Sequence, residues 1–310
     1  MKEDQAEGTA LPLRLRRTML YTPGTRGDRL TKAFAGAADM VVADLEDAVA
    51  PDDKEQARET VRAWLDDTAE ESAKAHGAGK RTPERCVRIN PWGTPLARPD
   101  LAAVVPGRPD TVVVPKAERW TDLVVLDLTL ERMERQNGIE VGTIELVAII
   151  ESAAGVLAAE RLSRATSRVT ALAFGAEDLA ADIGAVRSAG NMEVWYARSH
   201  VAICAARAGL QAIDQVYVDI KDTEGLARET EEARALGYRG KMIIHPAQVA
   251  PVHDAFRPKE EEVAEARRLL AVVESSGIGA GGVVAFEGRM VDRPLIEQAR
   301  RTVRSADSVR

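Results

Sequence analysis

A chain of 310 residues can bury a large core, either as one big α/β domain or as two of medium size. Aromatic residues are only 4%, so that core must be built from Ala, Val, Leu and Ile, which favours packed helices and parallel strands over an aromatic-rich sandwich. A formal charge of −7 argues against general nucleic-acid binding, although a local basic patch on an acidic protein still suits an anionic cofactor.

The chain opens with a polar, partly acidic stretch unlike a signal or transit peptide, and residues 1–14 are expected to form a disordered tail. No apolar run reaches the roughly 18 residues of a membrane span, and the cytoplasm is the expected location. Eight short apolar segments follow, at 17–21, 40–44, 86–90, 111–115, 146–150, 169–174, 215–218 and 241–244. They are rich in Val, Ile and Leu without clean alternation, the pattern of strands buried on both faces. Amphipathic stretches lie between them. Residues 53–67 place Ala57, Val61, Trp64 and Leu65 at helical spacing, and 225–236 ends at Gly237, a natural helix stop. Strands alternating with helices predict a (β/α)8 TIM barrel over residues 15–255, and no Gly-x-Gly-x-x-Gly follows the first strand to favour a dinucleotide fold. Cys86, in an apolar strand, and Cys204, in an Ala-rich helix, read as buried free thiols, not as a metal site or a disulfide.

The pattern changes in residues 256–310. A charged helix is expected over 259–276, then a Gly-rich break at 277–282, a short hairpin turning at Glu287-Gly288, and a last helix starting near Pro294. This extension looks too short for a core of its own and is expected to pack on the barrel or reach a neighbouring subunit.

In a β/α barrel the functional residues sit at the C-terminal strand ends. Here those ends carry Asp44, Glu46 and Asp47, then Arg88 and Asn90, Lys116 and Glu118, Glu151, Glu177 and Asp178, Asp219, and His245. Carboxylates from several strands would crowd one mouth, and a cation relieves such repulsion. The donors are oxygens, and the histidines at 76, 200, 245 and 253 are scattered, so Mg²⁺ fits better than Zn²⁺. Arg88 is placed either to clamp a substrate carboxylate or to pair with a neighbouring strand-end acid. The first loop, Thr22 to Lys32, offers Arg26, Arg29 and Lys32 near a helix start, which suits phosphates but equally suits plain solvation.

At these residues the chain resembles the citrate lyase β-subunit-like branch of the HpcH/HpaI aldolase superfamily, which includes malyl-CoA and citramalyl-CoA lyases. The resemblance rests on the Tyr21-Thr-Pro-Gly loop, Asp44-Leu-Glu-Asp-Ala-Val-Ala-Pro51, Val87-Arg-Ile-Asn90 and Val114-Pro-Lys116. It continues through Ile150-Glu-Ser-Ala-Ala-Gly155, Phe174-Gly-Ala-Glu-Asp178, Ile244-His-Pro246 and Gly288-Arg-Met-Val-Asp292. It implies a barrel with a C-terminal extension, assembled as a homotrimer or hexamer. It also implies Mg²⁺ held by Glu151 and Asp178, with Asp178 preferred to Glu177. Arg88 then binds the carboxylate of a 2-oxo acid, beside the backbone N–H groups of Gly175 and Ala176. Asp292, which by position alone reads as a helix N-cap, becomes a catalytic acid/base entering from a neighbouring subunit. Glu46 and Asp47, with Asp44, are expected to orient Arg88 and metal-bound water. Arg26, Arg29, Lys32 and Lys116 become candidates for the coenzyme A end of the pocket.

The expected chemistry is a reversible Claisen-type cleavage of a 3-hydroxyacyl-CoA into an acyl-CoA and a 2-oxo acid such as glyoxylate or pyruvate. Three other readings compete with it: a malyl- or citramalyl-CoA thioesterase, a citryl lyase subunit acting on an acyl-carrier-protein thioester, and an aldolase of free 2-oxo acids. A non-catalytic CoA-binding regulator is the fourth.

Overall fold

The computed structural model describes residues 15–77, 81–276 and 282–307, so the expected tail at 1–14 and most of the Gly-rich break lie outside the described residues. Strands and helices alternate from β1 (Thr18–Pro23) and α1 (Gly27–Phe34) to β2 (Met40–Asp44), α2 (Lys54–Gly77), β3 (Glu84–Arg88) and α3 (Ala97–Val104). They continue through β4 (Thr111–Val114), α4 (Trp120–Gln136), β5 (Glu145–Ile150), α5 (Ala153–Leu162), β6 (Val169–Phe174) and α6 (Ala176–Asp182). The barrel is completed by α7 (Trp195–Ala208), β7 (Gln211–Asp214), α8 (Thr223–Leu236), β8 (Gly240–Ile243) and α9 (Val249–Phe256). Each strand runs parallel to the next, and β1 pairs with both β2 and β8, so the eight strands close into the expected (β/α)8 barrel. Among the described residues no helix is long and apolar enough to cross a membrane.

Alternation along the strands sorts the apolar residues into two layers. Met19, Met40, Val42, Cys86, Val113, Val147, Ile149, Ala171, Ala173, Ile213 and Met242 fill the barrel interior. Their neighbours, such as Val41, Ala43, Val87, Val112 and Leu172, face outward and pack against the helices. This two-sided burial is why the strand segments read as continuous apolar runs. Cys86 is buried in the interior and Cys204 on α7, both as free thiols.

Continuing the same parity past the last interior residue puts Tyr21, Asp44, Arg88, Glu151 and Gly175 on the top layer of the barrel. The opposite end is closed by charge: buried Arg16 pairs with Glu84 at 2.8 Å and also with Glu145. The open face is therefore the C-terminal one.

One strand lies elsewhere than expected. The seventh strand is Gln211–Asp214, not 215–218, although Val216, Tyr217 and Val218 have the stronger strand propensity. Gly209, at φ +74°, ends α7 and turns the chain directly into a register that pairs Ala212 with Leu172 and Ile213 with Ala173. Pairing thus overrides propensity. Asp214 becomes the strand-end acid, fully buried between Arg198 and Lys241 at 2.8 Å each, and Asp219 falls in an exposed loop.

The extension also departs from expectation. Helix α10 (Glu260–Ser275), the hairpin β9 (Val284–Phe286) and β10 (Arg289–Val291), and helix α11 (Arg293–Asp307) bury Leu269, Val273, Val284, Phe286, Val291 and Ile296 against one another. It therefore owns a small core. Ion pairs Arg234–Glu262 and Lys259–Glu231 tie its first helix to α8.

Candidate active site at the barrel mouth

Arg88 ends β3 and is held by its neighbour on β2. Its Nε and Nη2 donate to the two Asp44 oxygens at 2.7 and 2.6 Å, and its Nη1 lies 2.9 Å from Glu46 Oε2. The guanidinium also stands 4.9 Å from the centre of the Tyr21 ring. Burial opposes the charge of Arg88, and Asp44 more than restores it. The side-on edge of the fork is thus spent on Asp44, as the ion-pair alternative anticipates. Of five N–H groups, two are spent on Asp44 and one on Nη1 faces Glu46, which leaves one on Nη2 and one on Nη1 for a ligand.

The segment after β2 is shaped around this pair. Asp44 accepts from the N–H of Glu46 at 2.9 Å and of Ala48 at 3.2 Å, which folds the Asp44–Ala48 turn over it. Gly24 donates to the Asp44 carbonyl at 2.8 Å, and a Cβ on Gly24 would sit 2.7 Å from that oxygen. The glycine serves close approach of the first loop more than turning.

Beneath the turn lies a buried polar network of which strand-end reasoning finds only Asn90. Lys54 Nζ donates to the carbonyls of Leu45 and Glu46 and to Asn90 Oδ1, at 2.6, 2.7 and 2.9 Å. Asn90 donates to Asp100, which is paired with Arg58 at 2.8 Å. The residues come from α2, the loop after β3 and α3. The one sequence signal was their cost: Asp100 and Arg58 are polar residues on the buried faces of helices.

Glu151 follows β5 and is 4% exposed. Its Oε1 accepts the main-chain N–H of Lys116 at 2.7 Å. Its Oε2 lies where a side chain on the next strand end would be, because a Cβ on Gly175 would stand 2.6 Å from it. Burial, followed by repulsion from Asp178 and Glu46, pushes the Glu151 carboxyl up to about 8 against the stabilising Lys116 amide. Asp178 is half-buried in the first turn of α6. Glu177 beside it is exposed and paired with Arg187 at 2.9 Å, so of the two acids Asp178 is the one that acts on Glu151.

The other expected residues divide. Glu46 is buried and bridges Arg88 to Lys116 Nζ, which it meets at 2.8 Å. Asp47 is exposed, and its described ion pair is with Lys116 at 3.8 Å, not with Arg88. Lys116 therefore belongs to the carboxylate end of the mouth and not with Arg26, Arg29 and Lys32. Those three lie exposed on the first loop and α1, with Arg26 paired to Asp28 at 3.1 Å. The Gly175 N–H is used by the sheet, donating to the Ile150 carbonyl at 3.0 Å, so it does not face a substrate as expected. Ala176 is buried as the first residue of α6. His245 caps the short turn after β8 and is exposed. Asp292 is exposed at the start of α11, its carbonyl accepting from Ile296 N–H at 3.1 Å. It makes no described contact with the mouth of its own chain.

The donor chemistry fits a hard cation. Glu151 keeps one oxygen beyond its amide bond, Asp178 is close enough to repel it, and both are carboxylates. Among the described residues no cluster of three or more His, Cys, Asp or Glu is set to hold a metal, and Asp44 and Glu46 are paired with Arg88 and Lys116. Such a pair suits Mg²⁺, which commonly takes one or two carboxylates and completes its octahedron with water and ligand oxygens.

A family model described as HpcH/HpaI aldolase/citrate lyase matches residues 17–246, the greater part of the barrel. The chain belongs to the HpcH/HpaI aldolase/citrate lyase family. Within it, the citrate lyase subunit beta of Haemophilus influenzae is 34% identical over 297 residues, spanning 96% of this chain and 98% of that protein. The mitochondrial citramalyl-CoA lyase of Homo sapiens is 32% identical over 311 residues, spanning 95% of this chain and 86% of that one. The crystal structure of protein CitE from Mycobacterium tuberculosis in complex with magnesium, acetoacetate and coenzyme A superposes with a TM-score of 0.76 at 33% identity. It covers 95% of this chain and all of that one. As a member of the HpcH/HpaI family, this protein is an enzyme of the carbon–carbon lyase class.

Proposed function

We propose that this enzyme is a Mg²⁺-dependent acyl-CoA lyase, cleaving a 3-hydroxyacyl-CoA such as malyl-CoA or citramalyl-CoA reversibly into an acyl-CoA and a 2-oxo acid. The observation that carries the reading is the single mouth shared by Arg88 and by the Glu151 carboxylate lying over Gly175 beside Asp178. Magnesium and coenzyme A in the CitE complex, and the citramalyl-CoA lyase relative, support the same metal and thioester here.

Glu151 and Asp178 would hold the Mg²⁺, which when bound supplies Lewis-acid stabilisation of the oxo-acid carbonyl oxygen. The remaining N–H groups of Arg88 bind the oxo-acid carboxylate, and Asp44 keeps the fork from turning. In the condensing direction Asp292 of a neighbouring copy takes a proton from the acyl-CoA methyl group, and the resulting carbon attacks the carbonyl carbon. Positive charge at Arg88 offsets the alkoxide that develops. The alkoxide then takes a proton from solvent water; in cleavage the hydroxyl gives that proton back to water as the C–C bond breaks, the oxo acid leaves, and protonated Asp292 gives its own proton to the carbon. The exposure of Asp292 on a module with its own core supports a role outside its own barrel, in a trimer or hexamer. Arg26, Arg29 and Lys32 are the proposed contacts for the CoA phosphates.

The test is mass spectrometry of purified protein with Mg²⁺ and a panel of 3-hydroxyacyl-CoAs. Paired acyl-CoA and oxo-acid products are expected, and turnover of no CoA ester overturns the reading. Near full-length similarity to citrate lyase subunit beta favours a second reading, an acyl-carrier-protein thioester as substrate. Preference for that carrier over free CoA in the same assay would select it. A free-thiol assay separates either from a thioesterase.

A further inference from the structure

Lys116 stands at the mouth with a backbone that its residue type does not favour. Its φ is +48°, in the left-handed region that L side chains rarely adopt. Residues held in such conformations persist where the surroundings over-determine them, and they concentrate at functional sites. Here the surroundings are specific. The next residue, Ala117, donates to the Ile149 carbonyl at 3.2 Å, which fastens the turn to β5. On its other side Gly155, in the first turn of α5, comes so near that a Cβ would sit 2.7 Å from the Ala117 carbonyl oxygen.

The product of this clamp is one aimed donor, the Lys116 N–H at 2.7 Å from Glu151 Oε1. With Oε1 tied there and Oε2 in the space that a Cβ on Gly175 would need, turning the Glu151 carboxylate costs the Lys116 bond. The side chain has a different task. Its ammonium lies 2.8 Å from Glu46 Oε1, on the opposite oxygen from Arg88. It is therefore engaged at the carboxylate end and is not free to take a phosphate.

We propose that Lys116 is a positioning residue for the metal-binding carboxylate, acting through its main chain: the clamped left-handed turn fixes Oε1 of Glu151 and thereby presents Oε2 to the cation. The proposal rests on the reading of Glu151 and Asp178 as the Mg²⁺ pair. It replaces the role of Lys116 expected from sequence, at the coenzyme A end.

The turn and the ammonium can be separated by substitution. Lys116→Gly and Lys116→Val both remove the ammonium, but Gly accepts positive φ freely whereas β-branched Val resists it. Gly155→Ala presses on the turn and leaves Lys116 itself intact. Binding of Mn²⁺ to the full chain, followed by the electron paramagnetic resonance of the free ion, gives the dissociation constant without any turnover. Lys116→Gly should bind within about threefold of wild type, while Lys116→Val and Gly155→Ala should weaken by about tenfold or more, the scale of lost support around metal ligands. Circular dichroism melts report folding separately, and Gly155→Ala carries the comparison should Lys116→Val not fold. Equal weakening in the Gly and Val variants assigns the effect to the ammonium and overturns the proposal. So does wild-type affinity in Gly155→Ala. A wild-type chain that binds no Mn²⁺ overturns the metal reading itself.

Discussion

Glu151 and Gly175 face each other across adjacent strand ends, with the carboxylate filling the space that a Cβ would need, 2.6 Å from Oε2. The two residues are a matched pair: an acid is admitted to the top layer because the neighbouring strand has no side chain there. Gly175→Ala should therefore push the carboxylate off its position. A tenfold or greater rise in the Mg²⁺ dissociation constant is expected by calorimetry, with destabilisation of about 1–3 kcal/mol from overpacking.

The adjacent acids of α6 should separate cleanly. Asp178→Ala should lose Mn²⁺ binding and all detectable lyase activity. Glu177→Ala removes only a half-exposed partner of Arg187 and should keep its affinity within about threefold, since exposed pairs contribute little. The same Mn²⁺ titration reads both variants, and the reverse order would move the metal assignment to Glu177.

At Arg88, conservative charge is not enough. Lysine cannot span both oxygens of Asp44, so Arg88→Lys should lower kcat/KM by about 100-fold or more while preserving Mg²⁺ affinity. Steady-state kinetics beside metal titration reads the split. Loss of metal binding in this variant would instead make Arg88 a structural prop of the mouth.

The raised Glu151 carboxyl has a consequence for the metal-free protein. Its folded value, about 8, lies above the unfolded value of about 4.3. Between those limits the folded state binds the additional proton, so this group's contribution to stability falls as pH rises through that window. Mg²⁺ binds the ionised form, so it should raise the melting temperature more at pH 8 than at pH 6. Melts at both pH values, with Mg²⁺ and with chelator, test this, and Glu151→Gln should remove the difference.

The proposed sharing of the site between copies is open to complementation. Asp292→Ala and Arg88→Ala should each be inactive alone. Unfolded together and refolded as a mixture, they should recover a measurable fraction of activity, because some mouths then receive a wild-type Asp292 from another copy. No recovery in mixed oligomers, shown to have formed by mass, would return Asp292 to a structural role at the start of α11.

Much of this architecture is local in origin. A strand buried on both faces leaves a short continuous apolar run and a helix buried on one leaves a 3.6-residue period, so the alternation of strands and helices that closes as a barrel was legible in the chain. Acid and arginine types at the strand ends were legible as the polar residues that stop each apolar run, whereas their placing on one top layer came from the strand parity of the folded barrel. The order of motifs from Tyr21 to Asp292 supplied the family and the preference for Asp178, which no periodicity could.

Only the tertiary structure decided which partners those side chains take. Asp44 and Arg88 are 44 residues apart, Lys116 and Glu46 70 apart, and Lys116 and Glu151 35 apart. Barrel closure and strand register alone bring them together, as they also draw the seventh strand back to Gln211–Asp214. A positive φ on a lysine has no signature in the sequence, because the clamp that imposes it comes from Ile149 and Gly155, not from Lys116. The chain itself determined a barrel with acids and an arginine at its mouth. Folding then committed Asp44 and Glu46 to Arg88 and Lys116, leaving Glu151 aimed, because charges buried that closely must each find a partner.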